Sequence, residues 1–214
     1  MTQTIVEAVC AGVISALPGG KRSGIFKTPI EGGVAIGLRG IEADRQADRR
    51  HHGFPAMALH HYPQDHYGWL QDVFGPLPRL CGPGSMGENM TTTGLTEADV
   101  AIGDRFRFGT ALLEVSQPRQ PCATIERHLQ AKGIVKAIVR SGRCGWFYRV
   151  LEPGFARAGD PLTLLERGDT GWTIRRAFAA VYGPQPDVAA MRELAKVPRV
   201  SDRLVHDIMR RLPS

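Results

Sequence analysis

Short apolar runs separated by glycine and proline turns fill the first 165 residues of the chain. The runs that read as strands span residues 4–15, 25–39, 56–60, 100–102, 105–108, 111–115, 145–151 and 161–165. Helical spacing is confined here to a short segment at 64–74 and to one or two helices within 124–141. Many short strands with few long helices are typical of a sheet that closes on itself and so has no exposed edges. The pattern predicts a mainly β (α+β) fold, built on a closed or nearly closed β-barrel.

The pattern changes from strand to helix after the last strand. Ile174, Phe178 and Val181 recur at helical spacing, the ranges 188–195 and 200–212 do the same, and Ser201 is a plausible N-cap. We therefore predict a barrel domain over residues 1–167 and a small three-helix bundle over 168–214. So small a bundle cannot bury much core unless it leans on the barrel.

A proline-rich segment, residues 116–122, follows the strand 111–115 and ends at Cys122. Because Pro118 and Pro121 lack an amide proton, they predict that the chain leaves the sheet here as a stiff loop. Helical spacing resumes directly afterwards, and Arg119 and Arg127 lie close by in sequence. A helix N-terminus and nearby cations favour a thiolate, which is a nucleophile and a soft-metal ligand. From these residues alone, a functional thiol and a bystander remain equally open.

Composition indicates a folded protein, and it narrows the class of partner only slightly. Of 214 residues, 43% are hydrophobic and 22% are charged. No apolar run approaches the roughly 18 residues of a membrane span, and no signal peptide is recognisable at the N-terminus, so we expect a cytoplasmic protein without membrane attachment. The four cysteines are widely spaced and predict free thiols. The net charge of +6 favours an anionic partner, which leaves nucleic acid and a phosphorylated cofactor both open.

Two polar loops are candidates for binding an anion. The glycine-rich turn around Lys21, Arg22 and Ser23 can present amide groups and cations to a phosphate, although ordinary turns have the same composition. The segment 86–95, with Asn89 and Thr91, suits either a ligand contact or a polar turn between strands. The histidines at 51, 52, 60, 61 and 66 fit no compact metal-ligand motif, and we interpret them as structural or contact groups.

Taken in order, several motifs resemble the MOSC-domain family, the C-terminal domain type of molybdenum cofactor sulfurases, and its YiiM-like branch in particular. The resemblance rests on Lys21-x-Ser23, the residues 40–48, His52-Gly53, Tyr62-Pro63, Gly87-Glu88-Asn89, Gly103-Asp104 and the segment 116–122. It covers nearly the whole chain, including the strand at Gly145 and the helical tail. The combination of Pro-Arg-x-Pro-Cys with Gly-Glu-Asn upstream is its most specific part.

The resemblance implies a barrel that binds the molybdenum cofactor (Mo-molybdopterin), with Cys122 as the protein ligand to the metal and as the catalytic residue. It also implies reduction of N-hydroxylated small molecules, such as 6-hydroxylaminopurine, with electrons from a separate flavoprotein reductase. Given the resemblance, we predict that the phosphate-bearing cofactor is held by nine further residues: Lys21, Arg22, Ser23, His52, Asn89, Thr91, Ser116, Gln117 and Arg119.

One departure from the family pattern bears on the pocket. Family members often carry a second glycine and a cation where this chain has Phe54 and Met57, and Arg49, Arg50 or Arg22 are candidates to replace that cation. Two other functions stay open. One is a non-enzymatic carrier of the cofactor or of its sulfur. The other is nucleic-acid binding by the basic tail, which the acidic residues interspersed there disfavour.

Overall fold

The computed structural model describes residues 3–20, 22–45 and 54–213. The strands are β1 (Gln3–Ile5), β2 (Ala8–Gly12), β3 (Ser15–Ala16), β4 (Arg22–Ser23), β5 (Lys27–Pro29), β6 (Gly33–Gly37), β7 (Gly40–Ile41), β8 (Leu59–His61), β9 (Met90–Thr91), β10 (Arg105–Phe108), β11 (Ala111–Pro118), β12 (Trp146–Glu152), β13 (Gly154–Arg157) and β14 (Pro161–Glu166). The helices are α1 (Asp65–Phe74), α2 (Ala123–Leu129), α3 (Ile134–Ser141), α4 (Ile174–Tyr182), α5 (Val188–Leu194) and α6 (Asp202–Met209), with a 3-10 helix at Pro55–Met57.

Nine strands form one large curled sheet, in the order β1-β14-β10-β11-β12-β8-β9-β2-β5. Its pairings are antiparallel apart from the parallel pair β8–β9. Side chains alternate across it: in β10, Phe106 and Phe108 are buried, whereas Arg105 and Arg107 are only half-buried. This alternation is the periodicity from which the strands were predicted. The mixed α+β fold with a curled, barrel-like sheet confirms the predicted fold class.

The segment that joins β1 to β2 brings the two ends of the curl together. Thr4 pairs with Leu162 of β14, whereas Ala8 pairs with Thr91 of β9. Between them, the Glu7 N–H already donates to the Thr91 carbonyl at 2.9 Å. A single predicted strand over residues 4–15 was therefore wrong. The segment divides into β1, β2 and β3 because it leaves one partner strand and joins another.

The C-terminal helices pack onto the barrel and share its hydrophobic core. Ile174, Phe178 and Leu204 are fully buried in the same apolar cluster as the sheet residues. Ser201 is the N-cap of helix α6, as predicted, and its hydroxyl accepts from the Leu204 N–H at 3.0 Å. Arg199 adds an ion pair to Glu166 of β14 at 2.7 Å. The division into domains 1–167 and 168–214 stays a prediction.

Candidate functional site

Strand β11 runs further towards Cys122 than the prolines predicted. Gln117 lies opposite Phe147 and Pro118 lies opposite Trp146, after a register shift between Val115 and Gln117. The expectation that the chain leaves the sheet after residue 115 was therefore wrong. Pro118 has no N–H to donate, but its carbonyl can still accept. The bulge at the register shift changes which backbone groups face the partner strand, so the strand continues through Pro118. Beyond the strand, the Arg119 N–H still donates across to the Gly145 carbonyl at 3.0 Å.

Cys122 is held at the start of α2, where its extended backbone occupies the N-cap position. The residue is exposed to solvent, although neighbouring atoms surround part of the thiol. This partial burial raises the pKa of the Cys122 thiol, but the charge of Arg119, the hydroxyl of Thr124 and the N–H groups of Thr124 and Ile125 lower it. The lowering contributions outweigh burial, so the pKa lies below the usual cysteine value. The site therefore presents a solvent-accessible sulfur that favours the thiolate.

The other three cysteines have different surroundings. Burial raises the pKa of the Cys10 thiol to about 12 and raises that of Cys144 well above its usual value. Cys81 is exposed. All four thiols are free. Since only a thiolate ligates a metal well, Cys122 is the cysteine that the geometry singles out.

Buried polar atoms without partners lie close to this loop. The Arg119 side chain is 8% exposed, and its Nη1 has no hydrogen-bond partner among the described residues. The same holds for Nε2 of His60 and the hydroxyl of Tyr62. An unpaired buried polar group costs about 1–3 kcal/mol, so it marks a position that favours a ligand or a water. Burial and then the charge of Arg119 lower the pKa of His60 well below its usual value, so this imidazole is neutral at pH 7.

Gly145 bonds to the Arg119 backbone and lies beside His60, and its position excludes a side chain. Its φ is +70°, and an added Cβ would lie 2.3 Å from the His61 carbonyl oxygen and 3.0 Å from His60 Nε2. The Gly145 N–H donates to Glu97 at 2.7 Å, and the second Glu97 oxygen lies 2.8 Å from His66 Nε2. Glu97 is 1% exposed. Sequence reasoning named His66 as a structural or contact group but missed Glu97, because an acid in a polar turn gives no pattern signal that it will be buried.

Asn89, predicted to contact the cofactor, is bonded within the protein. Its amide donates to the Cys10 carbonyl at 3.1 Å and to Asp44 at 2.9 Å, and its oxygen accepts from the His60 N–H at 3.1 Å. Asp44 also accepts from Lys27. Asn89 thus fixes the strand that carries His60, and its direct contact with a cofactor stays a prediction.

Thr91, Ser116 and Gln117 are also engaged elsewhere. The Thr91 hydroxyl donates to the Tyr62 carbonyl at 2.8 Å, and the Ser116 hydroxyl lies 3.0 Å from the Phe147 carbonyl oxygen. Gln117 accepts from the Ser201 hydroxyl at the start of α6. These bonds hold the sheet and the tail together, and the predicted cofactor contacts of all three residues stay predictions.

Arg22 and Ser23 lie just before a residue that contacts the helix following Cys122. Their strand β4 pairs with β3, Arg22 is exposed, and the Ser23 hydroxyl accepts from the Ile25 N–H at 3.2 Å. Phe26 is that residue, and it meets the ring of His128 on α2 edge-on, with centroids 4.6 Å apart. Lys21 and His52 fall outside the described residues, as do Arg49 and Arg50.

No group of three or more potential metal ligands of the His, Cys, Asp or Glu type occurs within residues 3–20, 22–45 and 54–213. That Cys122 is the protein ligand to a metal stays a prediction of the resemblance. Among the helices described, none is long and apolar enough to cross a membrane.

Comparison with known proteins identifies the family. A family model described as the MOSC domain matches residues 48–163. The chain belongs to the MOSC-domain family. It is 41% identical over 174 residues to the protein YiiM of Escherichia coli, covering 81% of this chain and 77% of that protein. The crystal structure of YiiM from Geobacillus stearothermophilus matches with a TM-score of 0.82 at 32% identity, over 99% of this chain and all of that one.

A longer MOSC relative carries a functional name. A protein of Gibberella moniliformis named "Reductase" is 33% identical over 184 residues, which are 86% of this chain but 33% of that protein. The MOSC match fits a function associated with the molybdenum cofactor. The resemblance to YiiM-like MOSC proteins drawn from the motifs is confirmed.

Proposed function

We propose that this MOSC protein is a molybdenum-cofactor-dependent reductase of N-hydroxylated small molecules, of the 6-hydroxylaminopurine type. The observation that carries the proposal is the exposed Cys122 sulfur, whose thiolate is favoured and which is the single cysteine so placed among the four. The family supports the cofactor, and the relative named "Reductase" supports the reaction class.

The residues at the site fit such a cofactor. A thiolate suits a soft-metal centre, and one protein ligand leaves coordination positions open. The cofactor ends in a phosphate, and Arg119 offers a buried guanidinium whose Nη1 has no partner among the described residues. Charge-assisted bonds from arginine to phosphate oxygens are strong, and such a bond would satisfy that atom. Phe26, three residues after Ser23, contacts His128 of α2, and we propose that Arg22 and Ser23 extend the same anion site.

When bound, the cofactor supplies the two-electron chemistry that cleaves an N–O bond. The overall change is R–NH–OH plus two electrons and two protons giving R–NH2 and water. Cys122 would hold the metal, Arg119 would neutralise negative charge of the cofactor, and Gly145 leaves His60 Nε2 uncovered by a side chain. The protein's contribution is to orient the reactants and to exclude side reactions. The electrons come from a separate flavoprotein reductase, which remains part of the proposal, as does a cytoplasmic location.

Metal content tests the cofactor part of the proposal. The protein is produced in cells that synthesise the cofactor, and molybdenum per chain is measured for wild type, Cys122→Ala and Cys81→Ala. Cys81 is the matched control, because it too is an exposed free cysteine. We expect molybdenum in wild type and in Cys81→Ala and a loss in Cys122→Ala. Absence of molybdenum from all three proteins would contradict the proposal.

A carrier of the cofactor or its sulfur would use the same residues, so binding does not distinguish it from a reductase. Turnover does: a loaded protein that never reduces 6-hydroxylaminopurine with any reductant supports the carrier. Nucleic-acid binding by the tail has less support, because several tail cations are engaged internally. Arg176 stacks on Trp172 at 4.0 Å, and Arg203 lies 3.5 Å from Asp207.

A further inference from the structure

Three buried polar groups lie around Gly145, and none of them is satisfied. Nη1 of Arg119, the hydroxyl of Tyr62 and Nε2 of His60 have no hydrogen-bond partner among the described residues. Tyr62 is 0% exposed and His60 is 5% exposed, so solvent does not replace the missing partners. Each such group costs about 1–3 kcal/mol when it is left unpaired. Three of them in one place mark a position built to bond a ligand.

Gly145 is the residue that these groups share as a neighbour. Its carbonyl accepts from the Arg119 N–H at 3.0 Å, and an added Cβ would lie 3.0 Å from His60 Nε2 and 3.1 Å from Cδ2 of Tyr62. The ring centroids of His60 and Tyr62 are 6.3 Å apart, because alternate residues of an extended segment point to the same side. Burial lowers the pKa of His60 and raises that of Tyr62, and the charge of Arg119 lowers both. The guanidinium therefore lies close enough to act on both rings.

The guanidinium of Arg119 needs an opposite charge. Buried lysines and carboxylic acids can become neutral, whereas arginine keeps its proton at any ordinary pH. A charge that is buried without a partner is costly, and buried charges in folded proteins are paired. Arg119 is a buried cation whose Nη1 lacks even a neutral partner among the described residues.

Two buried carboxyl groups nearby do not provide that charge. Glu97 and Glu88 both act on Tyr62, whose pKa they raise in addition to burial. One oxygen of Glu97 accepts from the Gly145 N–H at 2.7 Å, and the other lies 2.8 Å from Nε2 of His66. Glu88 accepts from a hydroxyl and from two backbone N–H groups, and burial raises its pKa, which favours the uncharged acid. A bound anion is therefore the counter-charge that suits Arg119.

We infer that Arg119, Tyr62 and His60 form a buried subsite for a small oxyanion such as a phosphate group. Arg119 supplies the positive charge, and charge-assisted bonds from arginine to such oxygens are strong. The Tyr62 hydroxyl donates to a second oxygen. The imidazole of His60 has both an N–H and a lone pair, so it can bond an oxygen or a hydroxyl of the same group.

The subsite extends the anion contact proposed above for Arg119 to two residues that have no assigned role. The inference rests on the proposed function for the purpose of the anion, but its test needs neither metal nor turnover. The terminal phosphate of the cofactor and a free inorganic anion have the same chemistry, and the experiment distinguishes them.

Removing a single hydroxyl tests the subsite. Tyr62→Phe deletes a group that has no partner among the described residues, so urea unfolding without added anion should show a protein at least as stable as wild type. Tyr148→Phe is the matched control, because Tyr148 is equally buried but its hydroxyl lies 3.2 Å from Nδ1 of His61. Binding of inorganic phosphate, and separately of sulfate, to the metal-free full chain is measured by calorimetry at low ionic strength.

We expect wild type to bind phosphate and Tyr62→Phe to bind it roughly tenfold more weakly, as for loss of a hydrogen bond to a charged group. Tyr148→Phe should be less stable in urea but should bind phosphate as wild type does. The inference would be overturned if wild type bound neither phosphate nor sulfate, or if Tyr62→Phe bound phosphate as tightly as wild type. An equal loss of phosphate binding in Tyr62→Phe and Tyr148→Phe would also overturn it.

Cofactor-loaded protein identifies the source of the anion. If loaded wild type no longer binds free phosphate, the phosphate of the cofactor occupies the subsite. If binding persists and still depends on the Tyr62 hydroxyl, a free oxyanion occupies it. Both results support the subsite. If no molybdenum were found in any of the proteins, the proposed reductase would fail, and the phosphate titration of the metal-free chain would still decide this inference.

Discussion

Arg119 donates its backbone N–H to the carbonyl of Gly145 at 3.0 Å, just beyond the paired ends of β11 and β12. This one bond joins the loop that carries Cys122 to a glycine whose own N–H is held by buried Glu97. The guanidinium that lowers the thiol pKa is thus placed by the sheet, not by the loop alone.

Removing the cation should make the thiol less acidic. In Arg119→Met we expect the pKa of the Cys122 thiol to rise, because partial burial raises it and the charge that opposed burial is gone. The rate of iodoacetamide alkylation is measured against pH in a Cys81→Ala background, where Cys10 and Cys144 are buried. If alkylation had its midpoint at the same pH with Arg119 and with Met at this position, Arg119 would not be what lowers the pKa of the Cys122 thiol.

Gly145→Ala should be strongly destabilising, because the residue has a positive φ and an added Cβ would clash with the His61 carbonyl. Gly142→Ala is the matched control, with a φ of +72° and nothing within 4 Å of its added Cβ. Backbone strain alone costs about 1–2 kcal/mol, which both variants share. Urea unfolding should give a larger loss for Gly145→Ala. Equal losses in the free energy of unfolding would mean that the chain removes the clash with the His61 carbonyl at no cost.

Replacing Glu97 should loosen the Gly145 segment. Glu97→Leu leaves the Gly145 N–H without its acceptor and His66 without its partner, so we expect a loss of about 1–3 kcal/mol in the free energy of unfolding. Glu97→Gln keeps an oxygen that can accept from Gly145 and should lose less. The two variants are compared by urea unfolding and by hydrogen exchange of the Gly145 amide. If the Gly145 amide exchanged no faster in either variant than in wild type, Glu97 would not be what holds this segment.

Two buried histidines should make the protein less stable in mild acid. Burial, and for His60 also Arg119, lowers the pKa of His60 well below 6.5, and burial lowers that of His61 to about 3. Below pH 6.5 the unfolded chain binds protons that the folded chain does not, so each histidine costs about 1.4 kcal/mol per pH unit there. Above that pH their effect vanishes. His60→Gln should flatten the decline between pH 6 and pH 5, whereas exposed His206→Gln should not.

Sequence pattern predicted much of the fold because its signals are local. Alternation gave β10, helical spacing gave the tail, and Ser201 was correctly predicted as an N-cap. The strand break between β1 and β2 was missed, because it depends on which distant strand each half meets. Cys122 was found from a compact motif, whereas Glu97 and its pairing with His66 were not. The importance of Glu97 comes from burial and from partners far away in sequence, which no local pattern records.

We propose that Cys122 holds the molybdenum centre at which an N–O bond is reduced. The direct test is the anaerobic reduction of 6-hydroxylaminopurine by molybdenum-loaded protein with reduced methyl viologen, comparing wild type, Cys122→Ser and Cys81→Ser. We predict turnover in wild type and Cys81→Ser and a fall of at least about a hundredfold in Cys122→Ser, as for loss of a group bound to the reacting centre. Equal turnover by Cys122→Ser and wild type would contradict the account.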